Sequence, residues 1–288
     1  MSFLRYKTHI EEGELVIAYL MPSHNGRGFM YLLHPTPELW THVVPHRTQI
    51  LYAADISYIT TYLDLKPGSV VLESGTGSGS FSHSLARTIA PNGHLYTFEF
   101  HEERAKAVKQ DFEEHGLSDL ITIECRDVCK NGFGVTDLVH AVFLDLPAPW
   151  EAIPAAKEAF KQKRIGKISC FSPCIEQVQR TCASLNENGF VEIKMYECLM
   201  REHEIKTIPI YTVTDAVNKI KLQQDKKRKR KEDRDEQDNA NADSQVSKSK
   251  QDPPNLYVSK TPNEVKGHTS YLTFATFLPV LEEQFLTK

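Results

Sequence analysis

Several features are scarce in this chain of 288 residues, and each scarcity excludes a class of protein. No apolar run approaches the roughly 18 residues of a membrane-spanning helix, and the opening "MSFLRYKTHIEEGE" lacks the basic-then-apolar order of a secretory leader. Neither a membrane protein nor a secreted one is expected. The six cysteines, Cys125, Cys129, Cys170, Cys174, Cys182 and Cys198, never form C-x-x-C, and no histidine stands near them at zinc-finger distance. Reduced thiols packed in the fold, and no metal, are the expectation. Basic charge is not in surplus either: 34 Lys and Arg face 38 Asp and Glu, a formal net charge of −4, which excludes a uniformly basic nucleic-acid binder. Any polyanion would have to meet a local patch or the patch of a partner. A phosphate-binding P-loop is missing too, because no glycine-rich turn ends in Gly-Lys-Ser/Thr.

The composition, 40% hydrophobic and 25% charged, suffices for one α/β core with a tail or small second unit. From residue 48 to about 205 the pattern alternates. Thr48 to Leu65 reads as an amphipathic helix ended by "KPG", "SVVLES" as a buried strand, and "FSHSLARTIA" as a helix stopped by "PNG". The strands "HLYTFEF", "ITIECRD", "HAVFLDLP", "KISCFSP" and "FVEIKMYE" follow, with helices over "EERAKAVKQDFEEHG", Trp150 to Phe160 and "CIEQVQRTCASLNENG". Strands separated by such helices predict a doubly wound, mostly parallel sheet. Residues 219–264 have few apolar side chains and are expected to be disordered. "HTSYLTFATFLP" reads as a last strand returning to the sheet.

In such a sheet ligands bind beyond the carboxyl ends of the strands, where chain direction switches. Gly75, Gly77 and Gly79 follow the first strand in "VVLESGTGSGSFS", a turn able to take positive φ and to bring backbone amides close to a ligand. The spacing is G-x-G-x-G, since Ser80 stands where a dinucleotide fingerprint has its third glycine. Glu99, near the end of the next strand, is placed to accept ribose hydroxyls. On spacing alone an NAD site and an S-adenosylmethionine site both survive; Asp127 and Asp145, at the next two strand ends, favour the second.

The stretches "HPTPELWTHVVPHRTQILYAADI", "PGSVVLESGTGSGSFSHSLART", "EFHEERA", "FLDLPAPWEA", "SPCIEQVQRTC" and "GHTSYLTFAT" together resemble the catalytic subunit of the tRNA (adenine-N1)-methyltransferases that modify position 58 of the T-loop. The resemblance implies a seven-stranded class I methyltransferase sheet, Rossmann-like, with S-adenosylmethionine as donor and tRNA as acceptor. It implies a heterotetramer of two catalytic and two non-catalytic chains, the latter supplying much of the tRNA contact. Carried onto this sequence, Leu51, Gly75, Gly77, Ser78, Gly79, Ser80, Glu99, Arg104, Asp127, Val128 and Asp145 would hold the donor. Asp145 would be the catalytic carboxylate, and Gln49, Ser172, Pro173, Glu176, Gln177 and His268 would meet the substrate.

Two departures from the family pattern stand out. The family carries a longer β-rich domain before "HPTPELW" than the 33 residues found here, so residues 1–33 are expected to be a shortened version of it. That bears on tRNA contact and assembly. "KQKRIGKISCF" is one residue longer than the family pattern and has one glycine where a Gly-Gly turn is usual. The methyltransferase domain is then expected over 34–218 and 265–288. The basic run Lys226 to Lys231 reads as a nuclear import signal. Other readings are a methyltransferase for another acceptor, "DLPAPW" being near the Asp-Pro-Pro-aromatic motif of amino-methylating enzymes, a non-catalytic scaffold of the same fold, and, more distantly, a dehydrogenase.

Overall fold

The computed structural model describes residues 3–4, 7–20, 29–200, 203–210, 255–261 and 270–279, with positions 212–214, 217, 220, 221, 223 and 224 between them. His268 and the run Lys226 to Lys231 lie outside the described residues. The chain divides into two units, Met1–Leu199 with Gly267–Lys288, and Met200–Lys266. The first unit opens with β1 (Ile17–Leu20) paired antiparallel to β2 (Met30–Leu33). Helix α1 (Pro37–Val43) follows, capped by the Thr36 hydroxyl accepting from the Leu39 N–H at 3.3 Å, with proline in its first turn.

The expected helix from Thr48 begins only at α2 (Ala53–Tyr62), and residues 48–52 carry no helix. From there the elements alternate: β3 (Val70–Ser74), α3 (Ser80–Ile89), β4 (His94–Glu99), α4 (Glu102–Glu114), β5 (Ile121–Cys125), the short α5 (Val128–Asn131), β6 (Ala141–Leu144), α6 (Pro149–Ala159), β7 (Gly166–Ser172), α7 (Ile175–Glu187) and β8 (Val191–Glu197). In the second unit β9 (Glu204–Pro209) pairs antiparallel with β10 (Asn255–Lys260). Residues 255–260 of the stretch expected to be disordered therefore form a strand, because their alternating pattern finds an edge to pair with. β11 (Tyr271–Phe277) completes the main sheet.

That sheet has the order β5-β4-β3-β6-β7-β11-β8. Its first five strands run parallel, and β11 is antiparallel to both neighbours. β3 and β6 are near-continuous apolar runs because both faces are covered. Their side chains still alternate: Val71 and Phe143 join one buried cluster with Ile59, Leu85 and Phe112, while Leu72, Val142 and Leu144 join the other with Ile153 and Leu185. α4 turns Ala105, Val108 and Phe112 to the core at helical spacing, and α7 does so with Val178, Thr181 and Leu185. Phe143, 1% exposed, meets Phe81 edge-on at 4.8 Å; truncating a side chain so placed costs about 3–5 kcal/mol.

A buried polar chain ties α4 to the start of α3. The Gly79 carbonyl can only accept, so the His83 Nδ1 at 2.6 Å carries the ring proton. His83 Nε2 then accepts from the Nδ1–H of His115 at 2.7 Å. Burial drives the His83 pKa down to about 3, keeping the pair neutral, and Phe3 closes over both rings. The chain runs β3 to β5 on one side, then crosses to β6 and β7 on the other. The switch point therefore lies beyond the carboxyl ends of β3 and β6.

Candidate active site

A cavity of about 520 Å³ opens at that switch point. Its wall is made by Thr48 to Leu51, the glycine loop, the turn after β4, the start of α5, the turn after β6, and Phe171. The stretch 48–52 that reads as helical thus lines the cavity instead, its Leu51 5% exposed against the core. Ser78 holds it there: the Arg47 and Thr48 amides donate to the Ser78 hydroxyl at 3.0 and 3.2 Å.

Gly75, Gly77 and Gly79 have φ of +95°, +57° and +75°. The room they leave is filled first by the protein itself. A Cβ on Gly75 would lie 2.1 Å from the Asp145 carbonyl oxygen, on Gly77 2.6 Å from Thr48 Oγ1, and on Gly79 2.8 Å from Val108 Cγ1. The expectation that the loop is glycine-rich to admit a ligand is incomplete on this point. The loop must also let β6, residue 48 and α4 approach its backbone. Ser80 is buried too, its hydroxyl 2.9 Å from that of Thr41.

Glu99 is held inside the cavity by three donors: Gly77 N–H to Oε2 at 2.9 Å, His101 N–H to Oε1 at 3.0 Å, and Arg104 Nη2 to Oε1 at 2.9 Å. A carboxylate offers about four acceptor positions, so roughly one remains. Asp127 caps α5 by accepting from the Lys130 N–H at 3.3 Å and pairs with its ammonium at 3.2 Å; Val128, 3% exposed, lies behind it.

Asp145 lines the cavity on the β6 side. Burial among protein atoms, then the negative charge of Glu99, pushes its carboxyl up to about 7. A fourth carboxylate was not anticipated as a site residue. Glu73, 1% exposed in β3, is raised to about 7 by burial, which outweighs the hydroxyls of Ser82 and Thr97 donating to it at 2.6 and 2.7 Å. An acid inside the apolar run "VVLES" was the signal available for it. Arg104 pairs with Glu99, and Arg126 with Glu124, while neither Glu73 nor Asp145 has an ion-pair partner among the described residues. A cavity left with two such acids favours a cationic ligand.

The residues assigned to the acceptor side divide. Gln49 borders the cavity; Ser172, Pro173, Glu176 and Gln177 do not. Ser172 is fully buried with its hydroxyl unpartnered among the described residues. Gln177 belongs to the α7 cap, accepting from the Cys174 N–H at 3.1 Å and donating to the Pro147 carbonyl at 2.9 Å. Thr48, Ile50, Leu146 and Phe171 also line the cavity; the first three lie within motif stretches but were not singled out, and Phe171 lies just before one. No three metal-ligating side chains gather among the described residues, and no described helix is long and apolar enough to cross a membrane.

A dinucleotide would bring an anionic pyrophosphate to the glycine loop, next to acids that already lack counter-charge. Doubly wound sheets of the methyltransferase class, whose donor is a cation, suit the cavity instead. The chain belongs to the tRNA methyltransferase complex GCD14 subunit family, whose family model matches residues 28–277. It is 39% identical to the Candida albicans tRNA (adenine(58)-N(1))-methyltransferase catalytic subunit TRM61, over 97% of this chain and 99% of that protein. With the Dictyostelium discoideum subunit trmt61a it shares 46% identity, over 90% and 82%. Among solved structures, a SAM-dependent O-methyltransferase from Thermotoga maritima superposes with a TM-score of 0.65 at 27% identity, covering 92% of this chain and 79% of that one. The tRNA (m1A58) methyltransferase TrmI from Aquifex aeolicus, at 21% identity and a TM-score of 0.60 over 86% and 78%, shares the fold.

Proposed function

We propose that this chain transfers a methyl group from S-adenosylmethionine to N1 of adenosine 58 in tRNA, as the catalytic subunit beside a non-catalytic partner, in a heterotetramer of two chains of each kind. Buried Glu73 and partly buried Asp145, neither with an ion-pair partner among the described residues and both beside the ribose-competent Glu99, carry the reading. Bound there, S-adenosylmethionine supplies a transferable methyl on a cationic sulfur. Gly75, Gly77, Ser78 and Ser80, which line the cavity, would border its methionine and ribose; Gly79 lies outside the lining and faces α4 instead. Glu99, oriented by Arg104, would accept from the ribose hydroxyls. Asp127, Val128 and Leu51 bound the adenine.

The acceptor N1 carries a lone pair and no proton, so no base has to remove one. The Asp145 carboxylate accepts from the exocyclic amine, orients the ring and stabilises the positive charge that appears on it. Gln49, exposed and lining the cavity, would meet the acceptor. With a net charge of −4, the chain relies on its partner for much of the phosphate contact. The composition of Lys226 to Lys231 supports assignment to the nucleus.

Incubation of the chain with tRNA and S-adenosylmethionine, with and without a non-catalytic partner, tests the reading. Nuclease digestion and mass spectrometry should find 1-methyladenosine at position 58, most with the partner present. N6-methyladenosine would instead support an amine acceptor, and calorimetry showing no donor binding would support a scaffold.

A further inference from the structure

The loop 161–165, part of the stretch singled out in the sequence by its length and its single glycine, carries Lys161, Lys163 and Arg164 and is not absorbed by the methyltransferase reading. It lies at the amino ends of β6 and β7, roughly 17 Å of strand from the donor cavity. Its backbone is fixed: Lys161 N–H donates to the Val139 carbonyl at 3.0 Å, Gln162 N–H to Asp137 Oδ1 at 2.7 Å, and Arg164 N–H to the Lys161 carbonyl at 3.1 Å. One oxygen of the exposed Asp137 carboxylate is thus used by the loop backbone.

His140 provides the second observation. The Val70 N–H donates to His140 Nδ1 at 2.8 Å, so that nitrogen is an acceptor and the ring proton sits on Nε2. Burial first, then the charges of Lys161 and Arg164, and more weakly Lys66, hold the ring's pKa below its ordinary value. His140 Nε2 stands 3.2 Å from Lys161 Nζ. Two N–H donors thus face each other with no acceptor between them, beside a guanidinium that has no ion-pair partner among the described residues. Such a juxtaposition is relieved by an oxyanion that accepts from both.

We propose that His140, Lys161 and Arg164 form a binding site for a phosphate group of the RNA backbone, distant from the reacting adenine. The proposal rests on tRNA being the substrate, and it gives this acidic chain a phosphate contact of its own.

The test uses the full chain in the assembly that methylates tRNA. Lys161→Ala/Arg164→Ala should weaken tRNA binding about 10-fold at moderate salt, ~1.4 kcal/mol. It should also lower the salt slope of binding by about one to two. Donor affinity and turnover at saturating tRNA should stay as in the unaltered chain, and tRNA should shift the His140 ring resonances of the unaltered chain alone. Unchanged tRNA affinity and salt slope would overturn the proposal. So would loss of subunit assembly in the variant, which would make an acidic protein the occupant, or a His140 response to inorganic phosphate with none to tRNA. Failure of tRNA methylation by the unaltered chain would instead count against the proposed function, and is read separately.

Discussion

Glu99 and Gln177 both serve loops that border the cavity, yet they are placed in opposite ways. Glu99 lies inside it, held by three donors of which two are backbone amides within a few residues or one loop away. Gln177 lies outside, bridging the α7 cap and the Pro147 carbonyl. The donor half of the site is a set of strand ends, each fixed by its own short loop, so pattern and strand order suffice to bring its residues together. The acceptor half depends on how β7, α7 and the turn after β6 meet, and its motif "SPCIEQ" is consumed in building that meeting.

Asp145 breaks the comparison most severely if it is wrong, because it alone is assigned to both halves. Asp145→Ala should leave tRNA binding nearly intact while turnover falls ~100 to 1000-fold, the usual cost of losing one preorganised electrostatic contact. Asp145→Asn should recover only part of that. The carboxyl must be ionised to act and is held at about 7, so kcat/KM should rise with pH through that region in the unaltered enzyme and lose this limb in Asp145→Asn. Turnover at wild-type level in Asp145→Ala would sink the assigned role.

The hydrophobic runs made the central sheet legible: β3 and β6 can be buried on both faces only in a doubly wound arrangement, and β11 pairs where the returning strand was expected. Helix α1 was passed over because its seven residues are too short to show a helical period, although Thr36 and Pro37 mark its start. Ile50 and Leu51 had helical spacing with α2, yet the hydroxyl of Ser78 captures the preceding amides and holds the segment as cavity wall. Glu73 was passed over because a buried carboxylate is visible in a sequence only as an interruption. Ser172 was given to substrate through the family resemblance; it is fully buried and outside the cavity lining.

A smaller effect sharpens the donor half by asking what the glycine loop makes room for. Gly77→Ala should weaken donor binding at least ~10-fold, ~1.4 kcal/mol, since φ is +57° and the new Cβ would lie 2.6 Å from Thr48 Oγ1. Adding Thr48→Ala removes that oxygen and leaves Thr48 Cβ at 3.6 Å as the next contact. The double variant should regain most of the affinity, apart from the backbone cost. If calorimetry finds the double variant as weak as the single one, the space at Gly77 is needed by the ligand and not by residue 48.

Gln177→Ala carries the smallest expected effect and separates the two halves directly. The change removes the bond that accepts the Cys174 N–H and the bond donated to the Pro147 carbonyl, leaving both backbone groups to water on an exposed surface. Loss of a helix cap typically costs about 0.5–2 kcal/mol, which lowers Tm by a few degrees, about 2–4 °C per kcal/mol in a domain of this size. Turnover should fall less than ~10-fold, because the turn from Asp145 to Ala148 remains anchored at its start by the Asp145 N–H to the Ser74 carbonyl at 2.9 Å. KM for tRNA should not move. A raised KM for tRNA with an unchanged Tm would show that Gln177 touches RNA after all, as its motif first suggested, and that the acceptor surface extends beyond the cavity along the start of α7.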